Sequence, residues 1–321
     1  MKIGLFTAMF QDMTLEQIAQ YAAGLGYEAL EIPVFKGSPH LDMDKILKGE
    51  TKEVRRILSR YNLQISALSN GRAGQMVLGP LDAATDLWAP SPDPQEKVRY
   101  GIEAMKNTAR AAAELGVPVV TGFVGSNVWD KWYIFPPANE KMYEEGWKTF
   151  TERWSEILDV YRECGVKFAA EVHPNEICYN LETAEQALQK LKDYPEFGFN
   201  FDPSHLVWQQ IDPVIFIKRL GHRIYHVHAK DGEIQTDEVG RSGLIPNGPW
   251  SRIDRGFRFR IPGWGDLNWR KIISALAQVG YDYVLSYEHE DAVMSREDGC
   301  EKSIAFLKPL IIKKPLEHVW W

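Results

Sequence analysis

Glu171 in the run FAAEVHP, Asp202 and His205 in FNFDPSH, His228 in YHVHAKD and Glu288 in VLSYEHED have the types and spacing of ligands for one divalent metal ion. Each run is β-branched or aromatic before it turns polar, which predicts a strand whose carboxyl-terminal tip carries the polar group. Oxygen and nitrogen donors with no cysteine among them suit Mn²⁺ best, with Mg²⁺, Co²⁺ or Zn²⁺ also accommodated, and point to a catalytic rather than a structural ion. Buried glutamates are costly unless a cation pairs with them, so Glu171 and Glu288 are assigned to that ion together with Asp202 and His228. The chemistry such a site supports is proton removal next to a carbonyl, with Glu171 and Glu288 as the carboxylates that take and return the proton.

Neighbouring residues extend the site. Pro203 cannot continue a central strand, so the chain stops at Asp202 and presents its carboxylate at the rim. His205 can point into the same cavity as a ligand, as a donor to a ligand or as a substrate contact. Strand alternation puts His226 and His228 on one side, with His228 nearer the tip. Lys230 continues that register toward substrate oxygens or a carboxylate, and Asp231 is placed to orient an imidazole. His173 shares a face with Glu171, Glu290 shares one with Glu288, and Glu176 lies just beyond His173. His173, Glu176 and Lys230 are therefore candidate substrate contacts.

The elements that must position these groups alternate from end to end. Strands are expected at residues 2–7, 29–35, 64–70, 118–123, 167–173, 198–202, 224–230 and 283–288, with amphipathic helices between them. Eight such pairs close a parallel barrel whose strand tips share one face, so the expected fold is a single (β/α)8 TIM barrel over residues 1–321. A phrase of helix, glycine and strand recurs at GLGYEALEI, AAAELGVPVVTGF, YRECGVKFAAEV and LAQVGYDYVLSYE. Thr14 is the expected N-cap of the first helix, with Glu16 in its first turn and Gly26 after its end. Two segments, 71–94 after the third strand and 232–266 after the seventh, are too long for ordinary connections and are expected as extended loops on the site's face. Trp88, Trp250, Trp264 and Trp269 lie in or beside them, either to wall a pocket and stack on a sugar or to pack the loops, with Trp264 a candidate substrate contact.

Composition limits the partners. A net charge of −7 over 321 residues argues against a nucleic-acid surface. The basic patch of Arg252, Arg255, Arg258 and Arg260, interleaved with Phe257 and Phe259, reads either as a solvated or partner-facing loop or as a substrate contact. Cys164, Cys178 and Cys300 form no paired motif, the N-terminus lacks a cleavage signal, and no apolar run reaches the ~20 residues of a membrane span, so a cytoplasmic protein is expected. No phosphate-binding loop is evident, which favours an unphosphorylated substrate. The terminal KKPLEHVWW suggests a partner surface or packing across the barrel base, as in a homo-oligomer or a heteromer with a small partner subunit.

The order of Glu171, Asp202 with His205, His228 and Glu288 on strands five to eight resembles the xylose-isomerase-like TIM-barrel superfamily of sugar isomerases and epimerases. KIGLFT, GYEALEI, FDPSHL, HVHAKD and PGWGDLNWRKIISAL carry the resemblance along nearly the whole chain. It implies that Glu171, Asp202, His228 and Glu288 bind one Mn²⁺-like ion, that Glu171 and Glu288 flank the reacting carbon, and that His205 contacts substrate. Glu31 and His40 match pocket positions. The same motifs are similar to metal-dependent lyases or hydratases acting on 3-oxo-glycosides, including the catalytic subunits of C-glycoside deglycosidases, which begin with the same proton abstraction. Apurinic endonucleases with three zinc ions are a third resemblance, but they need histidines at the third and fourth strand tips, where LSNGRAG and TGFVG supply Asn70 and Thr121.

Overall fold

Each of the four glycines that ends a helix in the recurring phrase adopts the left-handed backbone that only glycine enters without strain: φ is 92° at Gly26, 72° at Gly116, 65° at Gly165 and 79° at Gly280. The following strand then returns antiparallel to the helix, which makes the βα unit repeat. In the computed structural model, residues 1–128, 140–244, 248–249 and 251–314 are described. The barrel strands are β1 Lys2–Phe6, β2 Ala29–Phe35, β3 Gln64–Ser69, β4 Val119–Gly122, β5 Lys167–Glu171, β6 Phe197–Phe201, β7 Ile224–Ala229 and β8 Val284–Tyr287. All pair in parallel in the order β1-β8-β7-β6-β5-β4-β3-β2, and β1 pairs with β2 to close the ring.

The outer layer is α1 Leu15–Leu25, α2 Lys52–Arg60, α3 Pro94–Leu115, α4 Glu140–Cys164, α5 Leu181–Lys190, α6 Pro213–Leu220, α7 Trp269–Gln278 and α8 Arg296–Leu307. Local chemistry starts them where expected: Thr14 and Gln17 form a reciprocal capping box on α1, and Asp93 caps α3 ahead of Pro94. The apolar core lies between strands and helices, where Trp154 of α4 stacks on Phe168 of β5 with ring centroids 4.5 Å apart. Burying a ring of this kind is worth roughly 2–3 kcal/mol. Inside the ring of strands, by contrast, Glu31, Ser66, Thr121, Asn200, His226 and Ser286 are all buried polar residues.

The two long segments are folded rather than open loops. Residues after β3 form the helix Gly71–Leu78, capped by Asn70, and a short turn of helix at Ala83–Trp88. After β7, Asp231–Ile234 pairs antiparallel with Phe257–Arg260, a two-stranded ribbon over the barrel. Trp250 and residues 315–321, the greater part of the Trp-rich terminus, lie outside the described residues.

Candidate metal centre

Glu171 ends β5, Asp202 follows β6, His228 lies one residue before the end of β7, and Glu288 follows β8. Strand ends therefore deliver four potential ligands to one place, each just where ladder hydrogen bonding stops. Their ligand atoms lie within 4.8 Å of one another. His228 Nδ1 is 3.1 Å from Glu288 Oε2, 3.4 Å from Glu171 Oε2 and 3.8 Å from Asp202 Oδ2. Donors each about 2.1 Å from one ion stand no more than about 4.2 Å apart, so these spacings match a single divalent cation. His228 Nδ1 and Asp202 Oδ2 are buried with no aligned hydrogen-bond partner, although Lys230 Nζ approaches the latter to 3.1 Å. Buried polar atoms are rarely left so, and three carboxylates with one imidazole nitrogen fit Mn²⁺ or a similar ion held by these side chains.

Lys230, the residue after β7, supplies the fixed positive charge. Its Nζ is 2.7 Å from Glu288 Oε2, 2.7 Å from Glu290 Oε2 and 3.3 Å from His205 Nε2, and it lies 4.8 Å above the centre of the Phe259 ring. Burial opposes its charge, but Asp202, Glu288 and Glu290 outweigh it and raise its proton affinity well above the usual lysine range. The two glutamates of the quartet are thereby made different. Burial, with Glu288 and Asp202 nearby, pushes the Glu171 carboxyl up to about 7, against the pull of His228 and Lys230. Glu288 is also buried, yet Lys230 and His228 hold it below the usual carboxylate range, and Asp202 is lowered against burial by Lys230 and His205.

His205, on the short helix Ser204–Val207, points Nε2 at Glu171 Oε1 (3.1 Å) and Asp202 Oδ2 (3.5 Å). Burial and the Lys230 charge depress its pKa to about 3, so the ring is neutral. Its ring packs against His173 at 4.1 Å and meets the edge of Phe259 at 5.1 Å. Phe259 comes from the ribbon and brings one end of the arginine-rich patch to the site. The alternation of Phe257 and Phe259 with Arg258 and Arg260 is its sequence signal, a period of two that turns both rings inward.

Comparison with known proteins bears on this arrangement. The profile of the family described as xylose isomerase-like TIM barrel matches residues 19–310. The chain belongs to that family. It is 29% identical to the uncharacterized protein YfiH of Bacillus subtilis over 97% of this chain and 99% of that protein. It is 29% identical to an inosose dehydratase of Clostridium perfringens over 46% of this chain and 48% of the enzyme, and 23% identical to a fructoselysine 3-epimerase of Escherichia coli O157:H7 over 80% and 87%. The crystal structure of 3-keto-D-glucoside 4-epimerase YcjR from E. coli shares the fold, with a TM-score of 0.69, 14% identity and coverage of 96% of this chain and 99% of that one.

Several expected site residues of this family member are occupied elsewhere. Glu31, expected at the substrate, is fully enclosed beneath His228, where its carboxylate faces Nε2. Glu176 accepts the backbone N–H groups of Val124 and Gly125, so it ties the loop after β4 to the loop after β5. Among the described residues Asp231 orients no imidazole: it accepts from the backbone of Gly232, Gly263 and Leu267 and from the Trp269 indole N–H. Trp269 is accordingly core, and Trp264 is half exposed on the surface with Arg260 5.7 Å above its ring. Three arginines of the basic patch are paired with acids: Arg258 and Arg260 share Glu233, Arg260 also binds Asp291, and Arg252 binds Asp254. His40 donates Nε2–H to the Phe10 carbonyl and meets Thr7 Oγ1 through Nδ1. Asn70 and Thr121, at the tips where a trinuclear zinc site needs histidines, bond Thr108 and Glu31 respectively. Among the described residues no helix is long and apolar enough to cross a membrane.

Proposed function

We propose that this chain is a divalent-cation-dependent isomerase or epimerase that moves a proton at the carbon beside the carbonyl of an unphosphorylated sugar or sugar derivative. The observation that carries this reading is geometric: two glutamates reach one point from β5 and β8, where their ligand atoms lie within 4.8 Å of those of Asp202 and His228. A bound cation, Mn²⁺ by its donor set, supplies the Lewis acidity that makes the substrate C–H removable. Glu171, as the carboxylate, takes the proton and afterwards gives it up to water, and Glu288 takes a proton from water and delivers it to the carbon from the β8 side. Neutral His205 holds the Glu171 carboxylate and meets a substrate hydroxyl, Lys230 Nζ meets a substrate oxygen, and Phe259 keeps water from the reacting carbon.

Elimination from a 3-oxo-glycoside or a related keto-sugar is the second reading, supported by the likeness to inosose dehydratase over 46% of the chain. Both reactions begin with the same proton removal and differ in whether the neighbouring substituent leaves. Metal-replete protein incubated in D₂O with ketoses, aldoses and 3-oxo-glycosides separates them. Deuterium in a recovered epimer or isomer supports the first, aglycone or water release the second, and no exchange or turnover with any of them refutes both. Glu171→Gln and Glu288→Gln should each lower exchange by about 10²–10⁴-fold, and full activity in either variant refutes the two-carboxylate mechanism.

A further inference from the structure

An imidazole that binds a metal through one nitrogen must dispose of the proton on the other, and in this barrel the partner for that proton comes from the far wall. His228 Nε2 is 3.0 Å from Glu31 Oε2 and 3.2 Å from Glu31 Oε1, while Nδ1 faces Glu171, Asp202 and Glu288. Glu31 belongs to β2 and His228 to β7, and between them in the ring run β1 and β8. The contact therefore crosses the interior, and neither strand's local sequence announces it. We infer that Glu31 is a positioning residue for the metal: it holds the Nε2 proton of His228 and so presents Nδ1 as the ligand atom, with the ring orientation and basicity that tight cation binding needs. The inference rests on the metal-dependent reading above.

Three features make Glu31 a rigid partner rather than a further ligand. Thr121 donates its hydroxyl to Oε1 at 2.6 Å and Ser286 donates to Oε2 at 2.8 Å, so both oxygens are committed before the imidazole is counted. Ser286 is the ladder partner of His228, which sets the carboxylate beside the ring by backbone register and not by side-chain choice. The residue is 0% exposed, leaving no water to replace a lost partner. A second ion among Glu31, His226 and His228 is the competing geometry, since their ligand atoms also lie within 4.8 Å. His226 is already spoken for: Nδ1 is 3.1 Å from Asn200 Oδ1 and Nε2 is 3.3 Å from Ser66 Oγ. Carboxylates behind a ligating histidine fix its tautomer and strengthen it as a donor, and removing one typically costs 10–100-fold in metal affinity.

The test uses protein labelled with ¹⁵N-histidine and loaded with ¹¹³Cd²⁺, together with Mn²⁺ titrations. In the wild type, cadmium coupling is expected at His228 Nδ1, with a slowly exchanging proton on Nε2. Glu31→Gln, folded by circular dichroism, is expected to bind Mn²⁺ about 10–100-fold more weakly, whereas Ser286→Ala, which leaves the carboxylate in place, loses less. Cadmium coupling at Nε2, or wild-type Mn²⁺ affinity in Glu31→Gln, overturns the inference and leaves the metal-dependent reading standing. Failure of the wild type to bind either ion overturns both. Should Glu31→Gln not fold, the coupling pattern of the wild type decides alone.

Discussion

Lys230→Met removes the ammonium that sits among Asp202, Glu288 and Glu290 while keeping an unbranched stem against Phe259. Pair distances of 2.7–3.1 Å correspond to an attraction of about 5–6 kcal/mol each at an effective dielectric of about 20. Most of that offsets the cost of burying the charges. Glu290 is 46% exposed and screened by water, so it counts for little, which leaves Asp202 and Glu288 as the partners that matter. Breaking a buried pair costs about 3–5 kcal/mol because the remaining charge is stranded. For a chain of this length about 2 °C of melting temperature accompanies each kcal/mol, so a fall of about 6–10 °C is expected in chelator at pH 7–8. A divalent cation among the same carboxylates replaces the lost charge, and in saturating Mn²⁺ the deficit should shrink by about half or more. The sign with pH follows: Asp202 and Glu288 are lowered partly by Lys230, so the stabilisation exists above the ordinary carboxylate pKa near about 4 and vanishes as acid protonates them. Thermal melts of wild type and variant, each with chelator and with Mn²⁺, give the cycle. Equal deficits in both conditions, or none in chelator, refute the placement of Lys230 as the resident counter-charge.

Two further outcomes depend on single protons. Despite its burial, Glu31, Glu288 and Glu171 raise His228 well above the usual imidazole range, so it enters cation binding protonated and must release about one proton; Glu171, pushed up to about 7, adds a fraction more at neutral pH. Calorimetry of Mn²⁺ binding in buffers of different ionisation enthalpy measures that release, and a value near zero at pH 7 would show that His228 is neutral before the ion binds. Glu176 is raised to about 8 by burial against the backbone N–H groups of Gly125 and Val124, so its contribution is present below the ordinary glutamate pKa and is lost as pH rises through about 8. Glu176→Gln keeps an acceptor for those N–H groups without the charge, and its urea midpoint should fall less than that of the wild type between pH 5 and pH 8.5.

The sequence alone places the eight barrel strands within one or two residues, for a physical reason. A parallel strand covered by helices is an apolar run, and ahead of β2, β4, β5 and β8 the preceding helix ends on a glycine in the left-handed region, so for those strands both boundaries are written locally. The ligand quartet is legible on the same terms, as carboxylates and an imidazole where apolar runs end. What could not be read is which partner each buried polar group takes. Glu31 and His228 are 197 residues apart, and Asp231 and Trp269 are 38 apart. Those pairings depend on barrel closure and ribbon position, quantities that no window of sequence contains. The arginine patch misleads for a related reason: FRFR shows a strand by its alternation, but the acids that neutralise it, Glu233 and Asp291, come from the facing strand and from beyond β8.

The polar interior follows from the same geometry. Inward side chains of β2, β4, β7 and β8 meet at one level, where Glu31 gathers Thr121, Ser286 and His228; the rung formed by Asn200 and His226 lies alongside, and Asn200 Nδ2 reaches Glu171 Oε2 at 3.4 Å. Two of the four candidate ligands, Glu171 and His228, are thus held from inside the barrel, whereas Asp202 and Glu288 are held from the rim by Lys230. Five carboxylates, counting Glu290, surround one lysine and one strongly basic imidazole. With so little positive charge among them, these acids could hold a cation at the point where Glu171, Asp202, His228 and Glu288 converge.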